Sequence, residues 1–137
     1  MVRDETVIRV RYKDTDQMGV VYHANYLVWF EVGRTELMRR LGMPYLEFEK
    51  NNLYLPVIKV SCDFKVPARY DDQVKVITWI ENLQDVRLFF HYEIRRDKEL
   101  LARGMTEHAF VNNQGHPVVL RKYSPFLWGR LYKAVEG

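Results

Sequence analysis

A short segment between residues 12 and 25 contains the side chains best suited to acid, base or nucleophilic chemistry. It reads Tyr-Lys-Asp-Thr-Asp-Gln-Met-Gly-Val-Val-Tyr-His-Ala-Asn, with carboxylates at Asp14 and Asp16. A carboxylate can take a proton from water or attack an electrophilic carbon itself. On residue type alone, an Asp beside a turn more often bonds its own backbone, and this applies equally to Asp14 and Asp16. The residue types therefore permit such chemistry without choosing between the two.

The same segment leads into a predicted helix. From about His23 to Leu41 there is no Pro, Gly33 is the only Gly, and apolar residues recur at helical spacing. A helix start offers unpaired backbone N–H groups and the positive end of the helix dipole, which stabilise an oxygen that becomes negative during a reaction. Asp16 stands just upstream of this start.

Strand patterns dominate the rest of the chain. A first strand is predicted from Thr6 to Tyr12, and a loop from Lys13 to Gly19. Gly42 and Pro44 end the helix, and a short polar stretch reaches Asn52. Further strands follow from alternating apolar residues at positions 60 to 66, 74 to 80 and 86 to 94.

The last part of the chain predicts another hairpin and a helix. Asp97 and Lys98 form the hairpin tip before a strand from Leu100 to Val111, and residues 112–116 supply the next turn. Ser124 caps a final short helix with Pro125 in its first turn. We therefore predict one α+β domain over residues 1–137, with an antiparallel sheet curved around a long central helix.

The outward faces of these strands are unusually apolar. The residues concerned are Ile77, Trp79, Phe89, Met105, Ala109 and Val111. A face of this kind is seldom left to water alone. We expect a partner subunit to cover part of it.

Composition narrows the class of protein. Apolar residues make up 47% and charged residues 28% of the 137, typical of a soluble globular protein. The net charge of +3 comes from scattered basic residues, which suits a phosphate-bearing ligand better than a nucleic acid. Cys62 is the only cysteine and can form no internal disulfide. No signal-peptide core or membrane-spanning run is present, so we expect a cytoplasmic protein without a transmembrane segment.

The motifs resemble those of a known family. Asp14-Thr-Asp16, Gly19-Val-Val-Tyr-His23, Asn25-Tyr-Leu and Glu31 are similar to the 4-hydroxybenzoyl-CoA thioesterase family, which has the hotdog fold. Within it they look most like the YbgC-like acyl-CoA thioesterases associated with the Tol-Pal system. The resemblance continues through residues 65–72 into the following strand and weakens beyond residue 111.

This resemblance implies roles for individual residues. Asp16 matches the family's catalytic carboxylate, and the backbone N–H at His23 matches the donor to the thioester carbonyl. The His23 side chain fits capping as well as catalysis, so it is a supporting residue. Tyr12 is a candidate for a hydrogen bond to Asp14 or Asp16, although packing at a strand end also explains a Tyr there.

Two further substrate-binding candidates lie on the helix. Glu31, two turns beyond His23, could reach the acyl end of a pocket, or pair with Arg34 or Arg11. Asn25 could contact substrate or cap the helix. Lys59, Lys65, Arg69 and Arg87 are among several basic residues suited to the phosphates of coenzyme A, and the sequence does not rank them.

The resemblance implies an acyl-CoA thioesterase that needs no metal or prosthetic group, coenzyme A being part of the substrate. His91, His108 and His116 show no short metal-ligand spacing with one another or with Cys62. A homodimer or homotetramer is implied, since hotdog sites generally form between subunits. Two alternatives stay open: a hotdog hydratase or dehydratase acting on acyl thioesters, and a non-catalytic acyl-thioester or protein-binding module.

Overall fold

The computed structural model describes residues 1–137 and contains one five-stranded antiparallel sheet. The strands are β1 (Arg3–Arg9), β2 (Val57–Phe64), β3 (Gln73–Leu83), β4 (Arg87–Arg96) and β5 (Glu99–Ala109), in the order β1-β3-β4-β5-β2. The helices are α1 (Ala24–Arg40), α2 (Tyr45–Lys50), α3 (Leu120–Tyr123) and α4 (Pro125–Glu136). The predicted α+β architecture, a sheet around one long helix, is confirmed.

Helix α1 lies on one face of the sheet, chiefly over β1, β3 and β4. Phe30 is fully buried and stacks on Tyr92 of β4, with ring centroids 4.3 Å apart. At Gly33 a Cβ atom would lie 2.3 Å from the Thr78 Oγ1 atom, a distance that no side chain tolerates. Gly33 therefore allows α1 to approach β3 closely.

The predicted end of α1 is also confirmed. Gly42 has a φ of 76°, in the left-handed region that glycine favours. The next N–H, of Met43, donates to the Met38 carbonyl at 2.8 Å, the bond that closes a Schellman motif.

Two predicted boundaries are wrong. The first strand begins and ends three residues earlier than Thr6 to Tyr12, because Arg3 already pairs with Trp79 and the chain leaves the sheet after Arg9. The polar stretch after Pro44 contains the helix α2, which is too short for helical periodicity to predict.

Strand β2 forms an edge of the sheet. Val60, Cys62 and Phe64 lie on the face that α1 occupies, as their alternation predicted. They are not covered, however: Val60 is 41% and Phe64 is 51% exposed, and Cys62 is half-buried rather than buried. The cause is position, since α1 packs over the other strands. An uncovered apolar strip therefore runs beside α1.

The apolar residues of the outer face are buried or half-buried within the chain itself. Trp79 is only 9% exposed because the guanidinium of Arg3 lies 4.2 Å from its ring. Its indole N–H donates to Glu81 at 2.6 Å.

The final helix follows the prediction, with the Ser124 hydroxyl accepting from the Leu127 N–H at 3.3 Å. No helix combines the length and apolar character needed to cross a bilayer.

Candidate active site

Asp14 and Asp16 occupy different environments although only Thr15 separates them. Asp14 is 6% exposed, at the end of a 3-10 turn over Tyr12–Asp14. Its Oδ2 atom accepts from the Arg11 N–H at 2.9 Å. Its carbonyl accepts from the Tyr22 N–H and the Asn25 side-chain amide, both at 2.8 Å. Asp14 thus ties the loop to the start of α1.

Asp16 lies in the exposed turn that follows. Its N–H donates to the Val20 carbonyl at 2.9 Å, and Gly19 completes the turn with a φ of 78°. The Asp16 Oδ1 atom accepts from the Met18 N–H at 2.8 Å, which is the Asx-turn expected of such an Asp. The Oδ2 atom makes no hydrogen bond within the chain. One carboxylate oxygen is therefore oriented by the turn, and the other is free to react.

Asp16 and the start of α1 line one cavity of about 250 Å³. His23 and Tyr26 contribute from the helix side, and Phe64 and Lys65 from the end of β2. Of the basic residues suggested for phosphate binding, Lys65 is the one on this cavity. The cavity thus combines a carboxylate, a helix start, aromatic walls and a cation.

His23 occupies the N-cap position of α1, and its side chain makes no capping hydrogen bond. The N–H groups of Asn25 and Tyr26 donate to the carbonyls of Tyr22 and His23, at 2.9 and 3.2 Å. The His23 N–H has no acceptor within the chain. A free donor at the positive end of a helix can stabilise a negative oxygen in the same cavity as Asp16.

Tyr26 is a cavity residue that sequence reasoning missed. It is 3% exposed, and its hydroxyl accepts from the Ala68 N–H at 3.1 Å. Burial raises the pKa of this phenol, so it is neutral at physiological pH. Its ring packs edge-on against Phe64, with centroids 5.1 Å apart. The available signal was its spacing of three residues from His23, which places both on one helix face.

The other three candidates lie apart from Asp16. Tyr12 is 78% exposed and packs edge-on against Tyr70, and its hydroxyl bonds neither Asp14 nor Asp16. Asn25 fastens α1 to the Asp14 carbonyl.

Glu31 is exposed and lines a second cavity, of about 240 Å³, together with Arg34 and Tyr45. It forms an ion pair with neither Arg34 nor Arg11. No three His, Cys, Asp or Glu side chains gather as metal ligands would. Substrate contacts by Tyr12, Asn25 and Glu31 stay predictions, as does the absence of a cofactor.

Comparison with known proteins identifies the family of the chain. Residues 10–128 match the family described as the thioesterase-like superfamily. The chain belongs to this superfamily.

Several relatives are similar over most of the chain. YneP of Bacillus subtilis (strain 168), provisionally named an acyl-CoA thioesterase, is 41% identical over 131 residues and 94% of each chain. The acyl-CoA thioesterase YbgC of Haemophilus influenzae is 34% identical, over 77% of this chain and 78% of its own. A crystal structure of a DHNA-CoA thioesterase from Staphylococcus aureus is 36% identical, with a TM-score of 0.91 over 99% of this chain and 92% of that one. The predicted resemblance to YbgC-like hotdog thioesterases is confirmed.

Proposed function

We propose that this protein hydrolyses acyl-CoA thioesters to a free acid and coenzyme A. The observation that carries the proposal is that one cavity is lined both by Asp16, whose Oδ2 atom is free, and by His23, whose backbone N–H is free. The names of YbgC from Haemophilus influenzae and the Staphylococcus aureus enzyme support it, since both are called CoA thioesterases.

The thioester carbonyl oxygen would accept from the His23 N–H, where the start of α1 stabilises the charge that it gains. A thioester needs less activation than an amide because the thiolate leaves readily, so a single carboxylate can suffice. No Ser-His-Asp triad is required.

Two routes are open to Asp16. As nucleophile, its Oδ2 atom adds to the carbonyl carbon and expels the thiolate of coenzyme A, leaving a mixed anhydride that water then cleaves. As general base, Asp16 takes a proton from a water, whose oxygen adds to the carbonyl carbon; the thiolate then leaves and is protonated. Both routes consume one water and yield the same acid and thiol.

The test is release of free thiol from a panel of short, long and aromatic acyl-CoAs, followed with a thiol reagent. We expect thiol to appear in step with loss of the thioester. A hydratase or dehydratase would change the acyl group and leave the thioester intact, so an altered acyl-CoA without thiol would contradict the proposal. The panel also shows which acyl groups the pocket prefers.

We further propose that the active form is at least a homodimer that pairs through β2. This strand is an unpaired edge with exposed Val57, Ile58, Val60 and Phe64, and such edges are usually covered. Phe64 belongs to both the edge and the Asp16 cavity, so a second copy there would also shield the site from water.

Sedimentation tests the assembly. We expect a dimer or tetramer at micromolar concentration, and a shift toward monomer in Ile58→Lys, which introduces a charge on the edge without altering the Asp16 cavity. Val7→Lys is a matched control, since Val7 is similarly exposed on the opposite edge strand β1. A wild-type monomer at all concentrations would contradict the proposal.

With Cys62 as its sole, unpaired cysteine, the protein also suits a reducing compartment, and we propose a cytoplasmic location.

A further inference from the structure

A groove of about 640 Å³ lies at the far end of α1 from the Asp16 cavity. It is bounded by the end of α1, by the residue that precedes β1 and by one side of α4, and we call it the α4 groove. The apolar residues that line it are Val2, Leu41, Pro125, Phe126 and Ala134. From His23 to Leu41 the helix rises by about 27 Å, so the α4 groove is separate from the proposed reaction site.

The lining of the α4 groove suits a hydrocarbon chain. It includes no Asn, Gln, Ser, Thr, Asp or Glu. Phe126 is 68% exposed, which is unusual for an aromatic side chain. Small-molecule sites of about 300–1,000 Å³ typically combine such apolar walls with a few polar groups. A nucleotide would find no side-chain amide or hydroxyl here for its base edges and its ribose.

Two cations, Arg130 and Lys133, also line the α4 groove. They are three residues apart on α4 and therefore lie on one face of the helix. Neither takes part in an ion pair within the chain. By contrast Arg121, in the preceding helix α3, pairs with Asp85.

Arg130 is oriented by contacts that use few of its donors. Its Nη2 atom donates to the Leu41 carbonyl at 2.7 Å, and its guanidinium carbon lies 5.5 Å from the centre of the Phe126 ring. Gly42 leaves room for this arrangement, since a Cβ atom there would lie 2.5 Å from Nη2. A guanidinium has five N–H donors, so most of those of Arg130 are available to an anion in the groove.

The charge around the α4 groove is positive. Residues 108–135 contain four Lys or Arg and no Asp or Glu, so this segment holds the whole of the chain's excess of +3. The nearest acids in sequence do not line the groove: Glu136 follows the segment, and Asp4 lies in β1. Asp4 already accepts from the Thr6 hydroxyl at 2.7 Å and lies 3.8 Å from Arg40. The groove is therefore complementary to a negative group.

We propose that the α4 groove binds a free fatty acid of medium chain length as its carboxylate. N–H groups of Arg130 and Lys133 donate to the carboxylate oxygens, and the alkyl chain packs on the apolar floor. The two cations account for the head of this ligand and the floor accounts for its chain. The groove lies beside β1, at the opposite edge of the sheet from β2, so the proposed dimer leaves it open.

A nuclear magnetic resonance titration of the 15N-labelled protein with decanoate, kept below its micelle concentration, tests the proposal. We expect the amide signals of Val2, Leu41 and Gly129 to shift and to saturate. The signals of Asp16 and His23 report separately on the other cavity. 1-Decanol has the same chain without the charge, and it should bind at the groove at least about tenfold more weakly, because charge-assisted hydrogen bonds are lost. Decyltrimethylammonium should leave the groove signals unchanged.

Substitutions of the two cations identify the carboxylate contacts. Lys133→Met and Arg130→Met each keep an apolar stem and should each weaken decanoate binding by about tenfold. The Lys133 side chain makes no ion pair within the chain, so its variant should keep the wild-type fold. Lys122→Met is the matched control, because Lys122 is exposed and also lacks an ion pair but does not line the groove. It should bind decanoate as the wild type does.

Several results would overturn the proposal. Groove signals that stay unchanged with decanoate, or that respond equally to 1-decanol, would exclude a carboxylate site. A response only to coenzyme A, or only to vesicles of phosphatidylglycerol, would mean that the occupant is a nucleotide or a membrane surface. Unchanged affinity in both cation variants would show that Arg130 and Lys133 do not bind the carboxylate. Thiol release enters none of these measurements, so the proposed thioesterase function stands or fails separately.

Discussion

Asp16→Asn is expected to lower kcat by on the order of a hundredfold or more, equivalent to about 2.7 kcal/mol of transition-state stabilisation. Asn has nearly the same shape, and its amide oxygen can accept the Met18 N–H as the Asp16 Oδ1 atom does. The turn should therefore persist. What is lost is the negative charge on the free oxygen, which both the nucleophilic and the general-base routes require.

Asp14→Asn is the matched control, two residues away in the same loop. Asp14 is buried, and its carboxylate bonds the Arg11 N–H, so this change should lower the melting temperature. Its effect on kcat, measured on the folded protein, should be much smaller than that of Asp16→Asn. Circular dichroism measures the change in melting temperature, and steady-state rates of thiol release measure the change in kcat.

Near-normal turnover in folded Asp16→Asn would show that Asp16 does not carry the chemistry. A different result would support the non-catalytic alternative: no thiol release by either the wild type or the variant, with acyl-CoA binding kept in both. The binding measurement therefore belongs in the same experiment.

Local patterns predicted the elements that position the site. Apolar residues at helical spacing placed the start of α1 within one residue of Ala24, and Gly42 marked its end correctly. Both signals lie within a few residues of the structure that they determine. Strand β2 was predicted from its alternation, but its exposure was not, because exposure depends on which strands α1 covers.

The choice between Asp14 and Asp16 could not be made from local chemistry. Both belong to the sequence Asp-Thr-Asp, and the resemblance alone favoured Asp16. In the structure the difference comes from Tyr22 and Asn25, which bond the Asp14 carbonyl from 8 and 11 residues further along the chain. The Asp-Thr-Asp motif alone cannot predict those contacts.

The polar cluster beside Arg34 was harder still to predict. Arg34, Tyr45, Tyr92, Thr106 and His108 come from α1, α2, β4 and β5, and no two of them form a recognisable motif. Tyr92 and Thr106 meet only because their strands are neighbours in the sheet. Such a cluster can be identified only when the pairing and register of the strands are known.

His108 should make the stability of the fold depend on pH below neutrality. The ring is 1% exposed, and burial lowers its pKa from 6.5 to about 4, with the nearby Arg34 charge acting in the same direction. Between about pH 4 and 6.5 the unfolded chain binds a proton that the folded protein does not. The free energy of unfolding therefore rises with pH across this window. The contribution that His108 makes to it is lost as the pH falls from 6.5 toward 4.

The difference between pKa values of 6.5 and about 4 corresponds to about 3 kcal/mol at the acid end of the window. Other groups titrate there too, so the informative quantity is the difference between the wild type and His108→Gln, which cannot gain a proton. His116→Gln is the control, because His116 is exposed in the turn after β5.

Urea unfolding at several pH values from 4 to 7.5 measures these free energies. We expect the wild type and His116→Gln to lose stability in parallel as the pH falls, and His108→Gln to lose about 3 kcal/mol less. Parallel curves for all three proteins would mean that the folded protein protonates His108 as readily as the unfolded chain does. A charged ring would donate from both nitrogens, so the Thr106 hydroxyl would have to accept from His108 instead of donating to it.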